Sequence, residues 1–235
     1  VPGSFAYSGT AVSGAGVFNP VTAGVGTYPI KYVYTSSVIG CKDSATQNIT
    51  VWPSPTAKWG AGLPSCEKNN LVFTDSSVAN YSKIVSWAWD FGVATTSIKT
   101  TGAVFNKIFD TSKTYTASLK VTTDSGCVSV LNTQLVKVNP LPKPAFSLPS
   151  ICLPDGNGTF TNSSTITDGS EASFKYVWNF GNPNNSAGST SKDPTHKYSA
   201  VGPVNVKLIV TTNNNCIDSL TQVLNTIYPQ PKAAF

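Results

Sequence analysis

The stretch "VSWAWDFGVATTS" (85–97) has a counterpart later in the chain, "KYVWNFGNPNNS" (175–186). In each, large rings alternate with smaller residues: Trp87, Trp89 and Phe91 in the first, Tyr176, Trp178 and Phe180 in the second. Alternate side chains of a strand share a face, so each run lays an aromatic stripe along one side. A stripe facing solvent is a sugar platform. A stripe facing inward is a sandwich core, each ring removing ~150–250 Å² from water. Recurrence beside a glycine turn in both copies favours the inward reading, with Trp89, Phe91, Trp178 and Phe180 as the core signature. Asp90 and Asn179 point the other way and are expected to accept hydrogen bonds from turn amides near Gly92 and Gly181.

Working outward, the two signatures bring the rest of the chain into register. Trp89 lies 38 residues before Cys127, and Trp178 lies 38 before Cys216. Upstream, "LVFTDSS" (71–77) matches "GTFTNSS" (158–164), following Cys66 and Cys152 respectively. "WPSPTAKW" (52–59), "NPLPKPAF" (139–146) and "YPQPKAAF" (228–235) punctuate the copies. A period of 87–89 residues suits a small β-domain rather than a short solenoid repeat. In "VNVKLIVTT", Val204, Val206, Leu208 and Val210 share a face; in "TYTASLKVTT", Tyr115, Ala117, Leu119 and Val121 do. This period-two alternation predicts half-buried strands, and frequent Gly, Pro, Asn and Asp exclude long helices. The expected fold class is all-β, as tandem Ig-like β-sandwiches in an elongated array.

The expected domains are a partial Ig-like unit at 1–52, sandwiches at 53–139 and 140–228, and a linker at 229–235 opening a further repeat at Phe235. "GTYPIKYVYTSSVIGC" places Tyr28, Ile30, Tyr32 and Tyr34 on one face and ends at Cys41, parallel to the run ending at Cys127. The glycine-rich segment before it lacks the Trp motif, so its first strands are expected before Val1. With no initiating Met and no charged-then-apolar leader, the chain reads as a mature internal piece of something longer. Alternating prolines at 140, 142 and 144 favour extended polyproline II, a semi-rigid spacer.

Composition narrows the function classes. Charged residues make up 11% of the chain, and all 16 basic residues are lysines, scattered singly. Without arginine or a basic cluster, nucleic-acid recognition is not expected. No apolar run approaches the ~18 residues that cross a bilayer, so no membrane insertion is expected here.

"WAWDFG" and "YVWNFG", each followed by Phe109 or Tyr198 and an alternating strand, resemble polycystic-kidney-disease (PKD) domains. These are Ig-like sandwiches whose usual signature is Trp-Asp-Phe-Gly-Asp-Gly. The chain departs from it after the first glycine, at Val93-Ala94 and Asn182-Pro183. The resemblance covers about residues 53–228. The partial first unit is similar to Ig-like repeats of large secreted Bacteroidota surface proteins, including gliding-motility adhesins, which implies export by type IX secretion.

The repeat spacing pairs Cys66 with Cys127 and Cys152 with Cys216, at separations of 61 and 64 residues. Each bridge would tie the entry to the second strand to the turn leaving the penultimate one, places that can share a pole of an Ig-like sandwich. Zinc is the rival, but there is no Cys-x-x-Cys and one histidine. Disulfides imply an oxidising, extracellular or cell-surface setting. The mate of Cys41 is expected upstream of Val1.

Enzymatic chemistry finds no support. His196 is the lone histidine and is expected at a turn or on the surface. No Gly-x-Ser-x-Gly elbow, His-Glu-x-x-His run or phosphate-binding glycine loop occurs. Glu67 and Glu171 are the only glutamates, both expected in loops. "PDGNG" (154–158) resembles part of a calcium loop, but a Ca²⁺ site wants six to eight oxygens, so no metal or cofactor is expected. "DSA" (43–45) and "DSL" (218–220) look like the Asp-Ser/Thr-apolar O-glycosylation motif of Bacteroidota, with Ser44 and Ser219 as acceptors.

The resulting expectation is a non-catalytic stalk segment of a secreted cell-surface adhesin or filament. Its partners would be neighbouring repeats, with surface glycans or other copies of itself as the further candidates. The rivals are an accessory polysaccharide-binding or spacer module of a secreted hydrolase, and a self-assembling adhesive repeat.

Overall fold

A computed structural model describes residues 2–92, 98–100, 102, 104–181 and 188–232. Val93-Ala94, Asn182-Pro183 and Phe235, at which the departures from the signature and the start of a further repeat were expected, lie outside the described residues. The N-terminal segment holds β1 (Gly3–Ser8), α1 (Pro20–Ala23), β2 (Gly26–Ser36) and β3 (Lys42–Val51). The next holds β4 (Trp59–Ala61), β5 (Asn70–Asp75), β6 (Ile84–Asp90), β7 (Ile98–Thr100), β8 (Val104–Ile108), β9 (Thr114–Thr123) and β10 (Asn132–Lys137). The last holds β11 (Phe146–Ser147), β12 (Ile151–Cys152), β13 (Asn157–Thr159), β14 (Thr161–Asn162), β15 (Lys175–Asn179), β16 (Thr195–Lys197), β17 (Val204–Thr211), β18 (Ile217–Leu224) and β19 (Ile227–Tyr228). Among the described residues a single 3-10 turn, Glu171–Ser173, joins α1 as the helical content.

The chain forms two compact units that do not follow the repeat boundaries. One comprises Val1–Trp59, Asp75–Ala103 and Ser118–Thr133; the other comprises Gly60–Thr74, Val104–Ala117 and Gln134–Phe235.

In the first unit β1, β2 and β3 make an antiparallel sheet with β2 central. None of residues 2–51 is fully buried. Tyr28, Ile30, Tyr32 and Tyr34 alternate as the sequence predicts but are only half-covered, as befits one sheet with an open face. The helical turn is capped by Asn19, whose Oδ1 accepts from the amides of Val21 and Thr22. The same unit carries β6 with β7, and β6 pairs with β9 from Ile84↔Thr123 to Asp90↔Ser118. Trp89 is wholly buried, edge-on to Trp59 at 5.6 Å and parallel to Phe91 at 6.0 Å. Trp87, on the same stripe, is half-buried, and its indole N–H donates to Asp75 Oδ2 at 2.7 Å.

In the second unit β5 pairs with β8, Phe73 opposite Phe105, and β4 flanks β5. Phe73 meets Phe109 edge-on at 6.3 Å, and Phe109 lies 4.2 Å from Tyr115. The second repeat lies entirely in this unit. β15, β17 and β18 form one sheet, while β11 pairs with β14 and β13 with β16 as separate short ladders. Its core gathers Phe146, Phe160, Trp178, Phe180, Val206, Leu208 and Val210. Trp178 is met edge-on by Phe146 at 5.0 Å and lies 5.8 Å from Phe160. Its indole N–H is satisfied by the Ser191 carbonyl at 3.0 Å. Two adjacent polar residues cap the stripes: Gly92 N–H donates to Asp90 Oδ1 and Gly181 N–H to Asn179 Oδ1, both at 2.9 Å.

Candidate functional site at the junction of the repeats

The second unit contains both the end of the first repeat that carries Cys66 and the whole of the second repeat. Where they meet, the chain is fastened at successive points. Asn139 lies parallel beside Cys66, its N–H donating to the Ser65 carbonyl at 2.8 Å while Glu67 N–H donates to the Asn139 carbonyl at 2.9 Å. The buried Ser65 hydroxyl donates to the Lys137 carbonyl at 2.7 Å. Glu67 spends both carboxylate oxygens on backbone, accepting from Ser112 N–H at 2.8 Å and Leu141 N–H at 3.2 Å. Two residues on, Lys143 exchanges both backbone hydrogen bonds with Thr165 of the second repeat, at 2.8 and 3.1 Å. Between those anchors only Pro142 is unattached through its backbone amide, since proline has none. The proline stretch is thus not a free spacer at this point; each of its ends is built into a repeat.

A disulfide closes the junction, and it overturns the pairing expected from the repeat spacing. Cys66 bonds Cys216, with Cα atoms 5.7 Å apart and a sequence separation of 150. Cys127 and Cys152 are free thiols, so neither the Cys66–Cys127 nor the Cys152–Cys216 bridge forms. The reason is strand length. Cys216 sits in the turn before β18, whereas Cys152 pairs with Tyr228 beyond the far end of that strand. About 12 residues of nearly extended chain separate turn from exit, ~40 Å at ~3.3 Å per residue. In the first repeat β10 likewise lies between Cys127 and Asn139 along the sequence. The two cysteines of one repeat belong to opposite ends of its last strand; a disulfide spans about 5–6 Å between Cα atoms.

Beside the junction lies a cleft of about 570 Å³ lined by Glu67, Ser112, Lys113, Lys137 and Asp168, among others. Its carboxylates are already engaged: Glu67 as above, and Asp168 Oδ1 by the Ser170 amide and hydroxyl at 3.2 and 2.7 Å. Lys113 Nζ rests 4.9 Å above the ring of Tyr115. These contacts hold loops together rather than present groups to a substrate.

The remaining candidates fall as follows. "PDGNG" is a backbone-bonded turn, with Gly156 N–H donating to Cys152 O and Tyr198 N–H to Gly156 O, and Asp155 Oδ1 taken by Asn157 Nδ2 at 2.8 Å. Among the described residues no three His, Cys, Asp or Glu side chains gather as for a metal ion. Glu171 is in the 3-10 turn and accepts from Ile166 N–H at 3.0 Å. His196 is not at a turn: it lies in β16, stacked 4.3 Å from Phe180 and edge-on to Tyr198. Burial holds its pKa below the usual value, and its Nε2 has no hydrogen-bond partner. Burial likewise pushes Tyr198 up to about 12; its hydroxyl donates to Phe180 O at 3.1 Å. Ser44 and Ser219 are exposed on β3 and β18, each with its amide bonded to the preceding aspartate, at 2.8 and 2.7 Å. Glu67 escaped the sequence reading because its partners lie 45 and 74 residues away, with no local pattern to mark them.

The fold and the junction define a tandem β-sandwich module of structural or accessory type. The model of the PKD domain matches residues 52–138 and again 142–227, and the chain belongs to that family, whose domains are typically non-catalytic. Among solved structures it is similar to the PKD1 domain of Vibrio anguillarum Epp, at 23% identity over 37% of this chain and 94% of that one, with a TM-score of 0.31. It is similar, at 24% identity, to the PKD1 domain of the Vibrio cholerae metalloprotease PrtV, over 37% and 98% of the two chains, with a TM-score of 0.31. The fibronectin(III)-like modules of Clostridium thermocellum CbhA match at 11% identity over 74% and 94%, with a TM-score of 0.40. No helix among the described residues is long and apolar enough to cross a membrane. A disulfide between PKD repeats is consistent with an extracellular or secreted protein.

Proposed function

We propose that this chain is a load-bearing spacer of a secreted surface adhesin or filament of the Bacteroidota type, exported by type IX secretion and holding a binding tip away from the cell. The observation that carries this reading is the junction: Glu67 on Leu141, Lys143 on Thr165 and the Cys66–Cys216 bond leave little slack between repeats. A spacer needs stiffness at its joints, and this joint is tied by side-chain, backbone and disulfide bonds. The exposed Ser44 and Ser219, each behind a bonded aspartate, are O-glycan acceptors in this reading. Intact-mass analysis of native material should show hexose-sized additions lost together in Ser44→Ala/Ser219→Ala. The spacer role is tested at the cell surface. An epitope inserted at Gly14, exposed in a turn, should be labelled on intact cells, and excising residues 52–228 from the parent protein should weaken adhesion while leaving the isolated tip's affinity unchanged. Equal loss of both would remove the spacer reading.

One observation favours the accessory-module reading, in which the segment holds polysaccharide for a secreted hydrolase. On the open face of the N-terminal sheet, Tyr7 and Tyr32 face each other across strands at 5.3 Å, with Phe5 6.5 Å from Tyr32 and 62% exposed. A groove of about 640 Å³ lies beside Tyr7, Phe18, Ile30 and Tyr32. Affinity electrophoresis through insoluble glycans separates the readings: retardation abolished by Tyr32→Ala would favour the accessory module.

A further inference from the structure

The second repeat carries a cleft of about 710 Å³ lined by Asn162, Ser164, Glu171, Phe174, Tyr176 and Lys192, among others. That volume is within the ~300–1,000 Å³ of small-molecule sites. Its inner polar groups are fixed in place. Asn162 and Ser164 are both buried, and Asn162 Oδ1 accepts from the Ser164 amide at 3.1 Å and from its hydroxyl at 2.6 Å. The Asn162 backbone amide is held as well, donating to Asp193 Oδ1 at 2.8 Å. Phe174, also buried, meets Tyr176 edge-on at 6.2 Å and supplies the apolar part of the lining.

The first repeat shows which group is left over. There Asp75 and Trp87 take the positions of Asn162 and Tyr176, and they satisfy each other. The indole N–H donates to Asp75 Oδ2 at 2.7 Å, while Asp75 Oδ1 accepts from the Ser77 amide and hydroxyl. An indole has one proton to give, and here it is spent. In the second repeat the direction reverses: the Asn162 side chain donates to the tyrosine oxygen, and the phenol proton remains to be given. Burial lifts the Tyr176 pKa against that hydrogen bond, and the charges of Asp193 and Glu171 add to the lift, so the proton stays on. The repeats also differ in length here, since Trp89 follows Asp75 by 14 residues and Trp178 follows Asn162 by 16. The longer connection holds the 3-10 turn Glu171–Ser173, which brings Glu171 to the cleft. Glu171 spends Oε1 on the Ile166 amide at 3.0 Å, while its second oxygen and Lys192 Nζ make no hydrogen bond among the described residues.

These unspent groups select a ligand. An anion would meet Glu171 and Asp193, and a cation would meet Lys192. A hydroxyl both donates and accepts, so a polyol can use the Tyr176 proton, the Glu171 oxygen and the Lys192 ammonium together. The C–H surface of a sugar ring suits the aromatic rings beside them. We propose that this cleft binds one residue of a neutral polysaccharide, with Tyr176 and Lys192 donating to its oxygens and Glu171 accepting from one of its hydroxyls. The site is separate from the aromatic face of the N-terminal sheet, and it stands whether the segment is a spacer or an accessory module.

The test is calorimetric titration of the whole chain with glucose-, mannose- and N-acetylglucosamine-based hexasaccharides, with a galacturonate hexasaccharide and spermine as charged controls. The expected result is saturable binding of at least one neutral oligosaccharide, tighter than either control. Tyr176→Phe, which removes only the hydroxyl, should weaken that binding about tenfold, the cost of one well-placed hydrogen bond. Lys192→Ala should weaken it too, whereas Tyr32→Ala on the N-terminal sheet should leave it unchanged. No saturable binding of any neutral oligosaccharide overturns the proposal. So does tighter binding of galacturonate or spermine, and so does an affinity indifferent to both Tyr176→Phe and Lys192→Ala. Loss on Tyr32→Ala alone would put the sugar on the sheet and equally overturn it. Lys192 is exposed and bonds nothing in the fold, so Lys192→Ala answers the question even if Tyr176→Phe folds poorly.

Discussion

His196 stacks on Phe180 with its Nε2 unpartnered, and burial keeps its pKa below 6.5. The unfolded chain regains the ordinary value, so below pH 6.5 it takes up a proton that the folded state refuses. Above pH 6.5 both states are neutral and nothing is lost. As pH falls from 6.5 through the lower folded value, stability declines, and the decline then stops. Urea midpoints of the second repeat should drop between pH 7.5 and 5.5, and His196→Phe, which keeps the stack without titrating, should remove that drop. In the first repeat Lys107 takes this position, with Nζ 6.0 Å from the Phe109 ring. That repeat should show no histidine-linked sensitivity.

At the scale of the element, the turns after β6 and β15 end the aromatic stripes, and glycine is there for space as well as conformation. Gly181 has φ 72°, and a Cβ would sit 2.4 Å from the Asn205 carbonyl oxygen, a backbone atom that cannot swing aside. Gly181→Ala should therefore destabilise the second repeat by about 2 kcal/mol or more, read as a shifted denaturation midpoint. The join is the other decisive element. Glu67 supplies acceptors to two backbone amides, and Glu67→Ala leaves those of Ser112 and Leu141 without them. Its expected signature is faster thermolysin cleavage within 139–145, with little change in the proteolysis of β17 and β18. Uniform acceleration across the repeat would instead mean that the side chain stabilises the whole fold.

Across the whole molecule, the Cys66–Cys216 bond joins residues 150 apart and so restrains a long stretch of the unfolded chain. On the chain-entropy model a loop of that length contributes about 5 kcal/mol, and Cys216→Ser should lose a large part of it. Because the bond ties one repeat to the next, Cys216→Ser should also split a shared unfolding transition into two. Calorimetry with and without reductant reads both effects. An unchanged, single transition would show that the polar contacts at the join suffice for coupling.

What could be read locally was read well. Alternation marked β9 and β17, and of the residues it assigned inward Tyr115, Ala117, Leu119, Val121, Val206, Leu208 and Val210 are buried, while Val204, at the start of β17, is only partly buried against the core. The side chains of Trp89, Phe91, Trp178 and Phe180 are buried too, because a period-two stripe beside a tight turn can satisfy its apolar area only inside. What failed was non-local. Spacing treats each repeat as closed and pairs cysteines within it, but a strand separates its own turn from its own exit by far more than a disulfide spans. The turn expected at His196 fails for a related reason, since nothing in "DPTHKYS" signals that Phe180 lies across from it. The sequence by itself determined strands, repeat period and core stripe, which depend on neighbours one or two residues away. Only the tertiary structure decided which ends meet, because that depends on where whole strands begin and stop in space.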